Sequence, residues 1–244
     1  SEMCIRDRCI SALLFIITPC TCFAEEETKN YVQCTLLMEA STGTVISEEN
    51  GYKRVPQGTL NKLMTVLLTA EEIECGKMSV DTKLTASANA NQQQGAVVWL
   101  MQGETITVDE LLKAVIIGNA NDASMVLAEE IGGDENEFVG MMNARAFELG
   151  MRDTVFKNCA GYDAQGQYST AYDTALLTRE LLKHDFLKSY MTSWMDSVRN
   201  GQTELVNENR LVRTYEGILG VKAGHSEESG YTLSPVSYTH LTLP

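Results

Sequence analysis

The stretch VPQGTLNKLMTVLLTAEEI, Val55 to Ile73, decides the reading of this chain. Leu63, Val66, Leu67 and Ala70 recur at helical spacing, so Thr59 to Glu74 is expected to form one buried helix, stopped by Cys75-Gly76. At its head Thr59 and Lys62 stand three residues apart and share a face. A hydroxyl and an amine so placed are the parts of a nucleophile and its base, although the same spacing is common on helices that carry no chemistry.

Outward from this helix the pattern is strands, then helices, then strands. CTLLMEASTGTVIS, from Cys34, reads as a hairpin turning at Ser41-Thr42-Gly43. Helical runs are expected at Val108 to Ile117 and Asp122 to Ile131, interrupted by the polar insert Gly118-Asn119-Ala120-Asn121. Two further helices are expected at Glu135 to Leu149 and Ala171 to Lys183, with the turn-rich NCAGYDAQGQYST between them. GILGVKAG and SGYTLS, near the end, read as two strands around a glycine-containing turn.

The formal charge of -14 over 244 residues gives no basic face, which argues against nucleic acid and against docking on anionic lipid. Arg6 and Arg8 precede the apolar CISALLFIITPCTCFA, and the segment ends Cys22-Phe23-Ala24. That order matches a secretory signal over residues 1–24, cleaved after Ala24. A buried N-terminal helix is the other reading, but the abrupt change to EEETKN leaves it no amphipathic face. Four of the seven cysteines fall in this leader, and Cys34, Cys75 and Cys159 remain. Their number and spacing fit neither a disulfide framework nor a metal site, so no cofactor is expected and the three are read as packing residues.

With these pieces in order, the chain resembles the penicillin-binding D-alanyl-D-alanine carboxypeptidases, relatives of the serine β-lactamases, from about Tyr31 to Ser234. That family carries Ser-x-x-Lys at a helix start, Ser-x-Asn between helices and Lys-Thr-Gly on a strand. Here the same places read Thr59-Leu60-Asn61-Lys62, Asn119-Ala120-Asn121 and Lys222-Ala223-Gly224. Between and after them, Asn158, Gly161, Asp163, Gly166, Tyr168, Ser169, Ala171, Asp173 and Gly230-Tyr231 also follow the family pattern.

The resemblance implies an α+β fold, with an antiparallel sheet packed against a helical region and truncated at the C-terminus. It implies peptidoglycan stem peptides as substrate, β-lactams as ligands, and a site in the cell envelope on the outer face of the cytoplasmic membrane. Thr59 would take the nucleophile's place, Lys62 the general base's, and Asn119 and Asn121 the second motif. Lys222, Ala223, Gly224 and the backbone of His225 would bind substrate, with oxyanion donors mapping to the N–H groups of Thr59 and His225. For Lys62 to act as base it must be neutral, which burial and the second cation Lys222 would favour.

Each motif nevertheless lacks the family's hydroxyl residue. Thr59 keeps an oxygen, but its β-branch adds a methyl where a carbonyl must approach to about 3–3.5 Å. Asn119 does not relay a proton as a hydroxyl does, and Ala223 offers a substrate carboxylate no hydrogen bond. Slow turnover and a silent muropeptide- or partner-binding relative are therefore both open. Asn119 and Asn121 have a plainer use as helix caps, Lys222 as a solvated charge, and Asp163 and Asp173 as loop organisers.

The domain is expected over residues 25–234. The closing PVSYTHLTLP and the opening SEMCIRD resemble translated adaptor sequence, so membrane anchoring is expected only through a missing C-terminal segment.

Overall fold

A computed structural model describes residues 33–238. The expected signal segment lies outside the described residues. The N-terminal hairpin forms as read: β1 (Thr35–Met38) pairs antiparallel with β2 (Val45–Glu49). Its turn is held by the Glu39 carboxylate, which accepts from the backbone N–H groups of Ser41 and Thr42. Gly43, at φ 79°, supplies the left-handed residue that the turn needs.

The central helix begins one turn later than expected. A single 3-10 turn over Gly58–Asn61 precedes α1 (Lys62–Glu74), so Thr59 sits ahead of the α-helix. Every residue from Lys62 to Ala70 is buried, because α1 is enclosed on all sides. Three short elements, unread in the sequence, follow: β3 (Lys83–Thr85), α2 (Ala88–Asn91) and β4 (Thr105–Thr107), the two strands pairing antiparallel.

The helices around α1 form where the periodicity put them. They are α3 (Val108–Ile116), α4 (Asn121–Gly132), α5 (Glu135–Glu148) and α6 (Ala171–Leu181), and each packs against α1. Local chemistry sets their starts: Thr107 and Glu110 make a capping box on α3, Asp134 caps α5 and Thr170 caps α6. Together they bury Leu63, Leu67, Leu111, Leu112, Leu127 and Phe138 in one core. After α7 (Lys188–Thr192) comes a hairpin of β5 (Met195–Val198) and β6 (Thr203–Val206), turning through Arg199 and Asn200, both at positive φ, into Gly201.

A short α8 (Leu211–Thr214) leads to the last ribbon, β7 (Ile218–Ser226) paired with β8 (Gly230–Ser237). β8 continues past Ser234, with Val236 opposite Leu219 and Ser237 opposite Ile218. The fold is α+β, and among the described residues its strands form four separate antiparallel ribbons. α6 links the first and last of these. Arg179 donates to the carbonyls of Ala40 and Ser41 in the β1–β2 turn, while the Thr178 hydroxyl meets that of Ser234 on β8 at 2.7 Å.

Of the three cysteines read as packing residues, only Cys159 is in the core; Cys34 is half-buried and Cys75 is exposed. Cys75 follows the last turn of α1, where the helix has left the interior.

Candidate active site

The head of α1 is pinned to the loop that follows α5 by three bonds to consecutive carbonyls. Asn61 Nδ2 donates to the Asn158 carbonyl at 3.2 Å, Thr65 Oγ1 to that of Cys159 at 3.0 Å, and Lys62 Nζ to that of Ala160 at 2.5 Å. Next in line, Gly161 has φ 84°, and a Cβ there would overlap the Gly58 carbonyl and crowd Thr59 Cα. No side chain fits at that approach. The turn-rich NCAG segment is thus the wall against which Thr59 and the head of α1 are packed.

Lys62 is fully buried, and burial first, then the charge of Lys222, pushes its ammonium pKa well below the ordinary range. Thr59 Oγ1 is also buried but has no protein hydrogen-bond partner among the described residues. Among the described residues, the Lys62 amine and the Thr59 hydroxyl are therefore neighbours in sequence that are not hydrogen-bonded to each other.

The second motif forms the bend between α3 and α4. Asn119 sits there at φ 57°, a left-handed conformation that asparagine tolerates better than most residues. Its Nδ2 donates to Glu208 Oε2 at 3.4 Å, and its Oδ1 is buried without a partner among the described residues. Neither asparagine caps α4: the N-cap is Ala120, with no side-chain bond. Asn121 is already the first helical residue, and its Nδ2 reaches out instead to the Gln94 carbonyl at 2.6 Å. The neighbouring Asp122 carboxylate accepts from the N–H groups of Val98, Leu100 and Ala123. Tyr162 Oη meets Gln93 Oε1 and Gln94 N on the same segment, joining it to the wall beside α1.

The third motif lies on β7, just after an irregularity in its pairing between Leu219 and Lys222. Val221 is driven to φ 38° there, a strained state for a β-branched residue, and the bulge redirects the strand at Lys222. Lys222 is 3% exposed, which corrects the reading of a solvated charge. Burial pulls its pKa down to about 8, opposed by the nearby charge of Glu208.

Two residues on, a Cβ at Gly224 would overlap Thr59 Oγ1 and stand 3.3 Å from Asn119 Nδ2. The three motifs meet at this glycine. Ala223 presents only a buried methyl opposite Leu233. His225 is exposed, with its ring 4.7 Å from that of its cross-strand partner Tyr231, so its imidazole belongs to the ribbon surface. Asp163 and Asp173 organise loops as expected. Asp163 accepts from Ser226 Oγ and Glu228 N in the β7–β8 turn, and Asp173 from Asp153 N and Thr154 Oγ1.

Sequence reasoning missed Glu208, Tyr162 and Gln94 as neighbours of the site. Glu208 lies 89 positions from Asn119, and no local pattern connects them.

The fold that brings Thr59, Asn119 and Gly224 together is that of the penicillin-binding proteins, the β-lactamase/transpeptidase fold. The profile of D-alanyl-D-alanine carboxypeptidases matches residues 22–239. The chain is 36% identical to D-alanyl-D-alanine carboxypeptidase DacF of Bacillus subtilis over 234 residues, covering 92% of this chain and 60% of that one. Its structure is similar to DacD of Francisella tularensis, with a TM-score of 0.79 at 26% identity over 84% of this chain and 62% of that one. It is also similar to penicillin-binding protein D2 of Listeria monocytogenes in its cefotaxime-bound form, with a TM-score of 0.75 at 27% identity over 84% and 83% of the two chains. The chain belongs to the D-alanyl-D-alanine carboxypeptidase family of peptidases. It spans 60% of the length of the Bacillus relative.

Proposed function

We propose that this chain is the catalytic part of an exported carboxypeptidase that removes the terminal D-alanine from peptidoglycan stems, with Thr59 as the acylated residue and reduced turnover. The observation that carries this reading is the convergence of Thr59, Asn119 and Gly224 on one point, with Lys62 fully buried one turn along the chain from Thr59. In this reading Lys62, kept neutral by burial and by Lys222, takes the Thr59 proton as Oγ1 attacks the carbonyl between the two alanines. The C–N bond breaks as Lys62 returns the proton to the leaving nitrogen, so D-alanine leaves as its amine. Water then gives a proton to Lys62 as its oxygen attacks the acyl carbonyl. The C–Oγ1 bond breaks with that proton passing to Oγ1, releasing the shortened stem as its carboxylic acid.

Lys222 holds the terminal carboxylate, while Asn121 and Tyr162 keep the Gln93–Gln94 segment in place beside the cleft. Reduced turnover is supported by the threonine methyl, the amide of Asn119 and the methyl of Ala223, each standing where a hydroxyl residue would serve. β-Lactams would acylate the same oxygen, as suits a relative seen with cefotaxime.

A second reading, a silent muropeptide binder, is supported by the Lys62 amine, which donates to the Ala160 carbonyl while Thr59 Oγ1 has no partner among the described residues. Incubation with a muropeptide pentapeptide separates the two. Released D-alanine that disappears in Thr59→Ala upholds the enzyme; peptide bound without release upholds the binder.

A further inference from the structure

Glu208 has no role in the reading above, yet the fold fixes the segment that carries it beside Asn119. It stands between two asparagines on the segment joining β6 to α8. Asn207 Nδ2 donates to the Ser193 carbonyl at 3.1 Å and Asn207 N to that of Trp194 at 2.9 Å. The buried Asn209 donates through Nδ2 to the Gly220 carbonyl at 2.8 Å and accepts from Leu211 N at 3.0 Å. Glu208 is thereby tied to the strand residue two positions before Lys222. Its Oε2 accepts from Asn119 Nδ2 at 3.4 Å, while the residue as a whole remains exposed and makes no direct ion pair among the described residues.

We propose that Glu208 is a specificity-determining residue, a counter-charge beside Asn119 that competes with a ligand's carboxylate for the field of Lys222. The buried ammonium of Lys222 would otherwise present an attractive, poorly screened potential to any anion at Asn119. Glu208 lies near enough to favour the charged form of both lysines, against the burial that disfavours it. A ligand whose terminal group is an amide escapes this competition, and one with a carboxylate meets it. The identity of the ligand rests on the muropeptide reading; the charge coupling does not.

The test is equilibrium binding of two peptides, one ending in D-Ala-D-Ala carboxylate and the other in its amide, to the wild-type chain and to Glu208→Gln. The glutamine keeps the shape and the acceptor for Asn119. At pH 6, where Lys222 stays protonated in both forms, the variant is expected to gain about fivefold in affinity for the carboxylate peptide, as a partly exposed charge pair allows, with the gain shrinking in high salt. The amide peptide should be unmoved. Where the peptides bind, an equal change for both, or none, overturns the proposal. Titration of isotope-labelled Lys222 by NMR is a second readout that needs no ligand: its pKa should fall in Glu208→Gln, and an unmoved titration also overturns the proposal. If Lys222 shifts while neither peptide binds, the counter-charge stands and the muropeptide reading fails.

Discussion

Gly224 on β7 and Thr59 at the head of α1 lie so close that any side chain on the glycine would overlap the threonine hydroxyl. This contact joins segments more than 160 positions apart and leaves the hydroxyl in a slot with glycine on one side and Asn119 on another. Gly224→Ala should therefore abolish acylation by a fluorescent penicillin while leaving the helical core intact. Retained labelling, with an unchanged circular dichroism spectrum, would show that Thr59 has room the structure denies it.

Gly161 makes the corresponding contact from the wall. At φ 84° and against the Gly58 carbonyl, it has neither the conformation nor the space for a side chain. Gly161→Ala should cost at least about 1–2 kcal/mol from the left-handed backbone alone, read as a lower urea midpoint. A neutral effect would mean that the loop moves freely from α1.

Thr59→Ser removes the methyl that crowds the approaching carbonyl and frees χ1. Acylation should rise by about tenfold or more, since small misplacements of reacting atoms carry penalties of that order. If the serine variant is no faster, the amide of Asn119 or the methyl of Ala223 limits the chemistry.

Much of this site was legible in the sequence, and the limits have physical causes. The helix expected from Thr59 to Glu74 and its four helical neighbours announced themselves by 3.6-residue periodicity, which burial on one core enforces, although Thr59 itself falls in a 3-10 turn and the α-helix starts at Lys62. The N-terminal and C-terminal ribbons carried turn glycines at the right places. The β5–β6 hairpin was missed although Asn200-Gly201 is a strong turn signal, because its strands are only four residues each. β3, α2 and β4 are shorter than any periodicity can resolve. Asn121 was misassigned as a cap because capping is local, whereas its actual partner, the Gln94 carbonyl, comes from 27 positions away.

Lys222 offers a stability test with a definite sign. Its pKa is depressed from 10.5 to about 8 in the folded chain, so between these values the unfolded chain holds more protons and stability rises with pH. Below about pH 8 the full penalty stands, on the order of 3 kcal/mol at about 1.4 kcal/mol per unit. Lys222→Met should therefore unfold at higher temperature than the wild type at pH 7, with the difference fading as pH approaches 10.5. A variant less stable at pH 7 would show that Lys222 is paired rather than merely buried.

Acylation itself tests the central claim most directly. The chain is incubated with a fluorescent penicillin across a pH series, digested, and the adduct located by mass spectrometry. The account predicts a single covalent adduct on Thr59 Oγ1, forming faster as pH rises through the depressed pKa of Lys62 and absent from Thr59→Ala. An adduct on any other residue, or none at any pH with the protein folded, would contradict it.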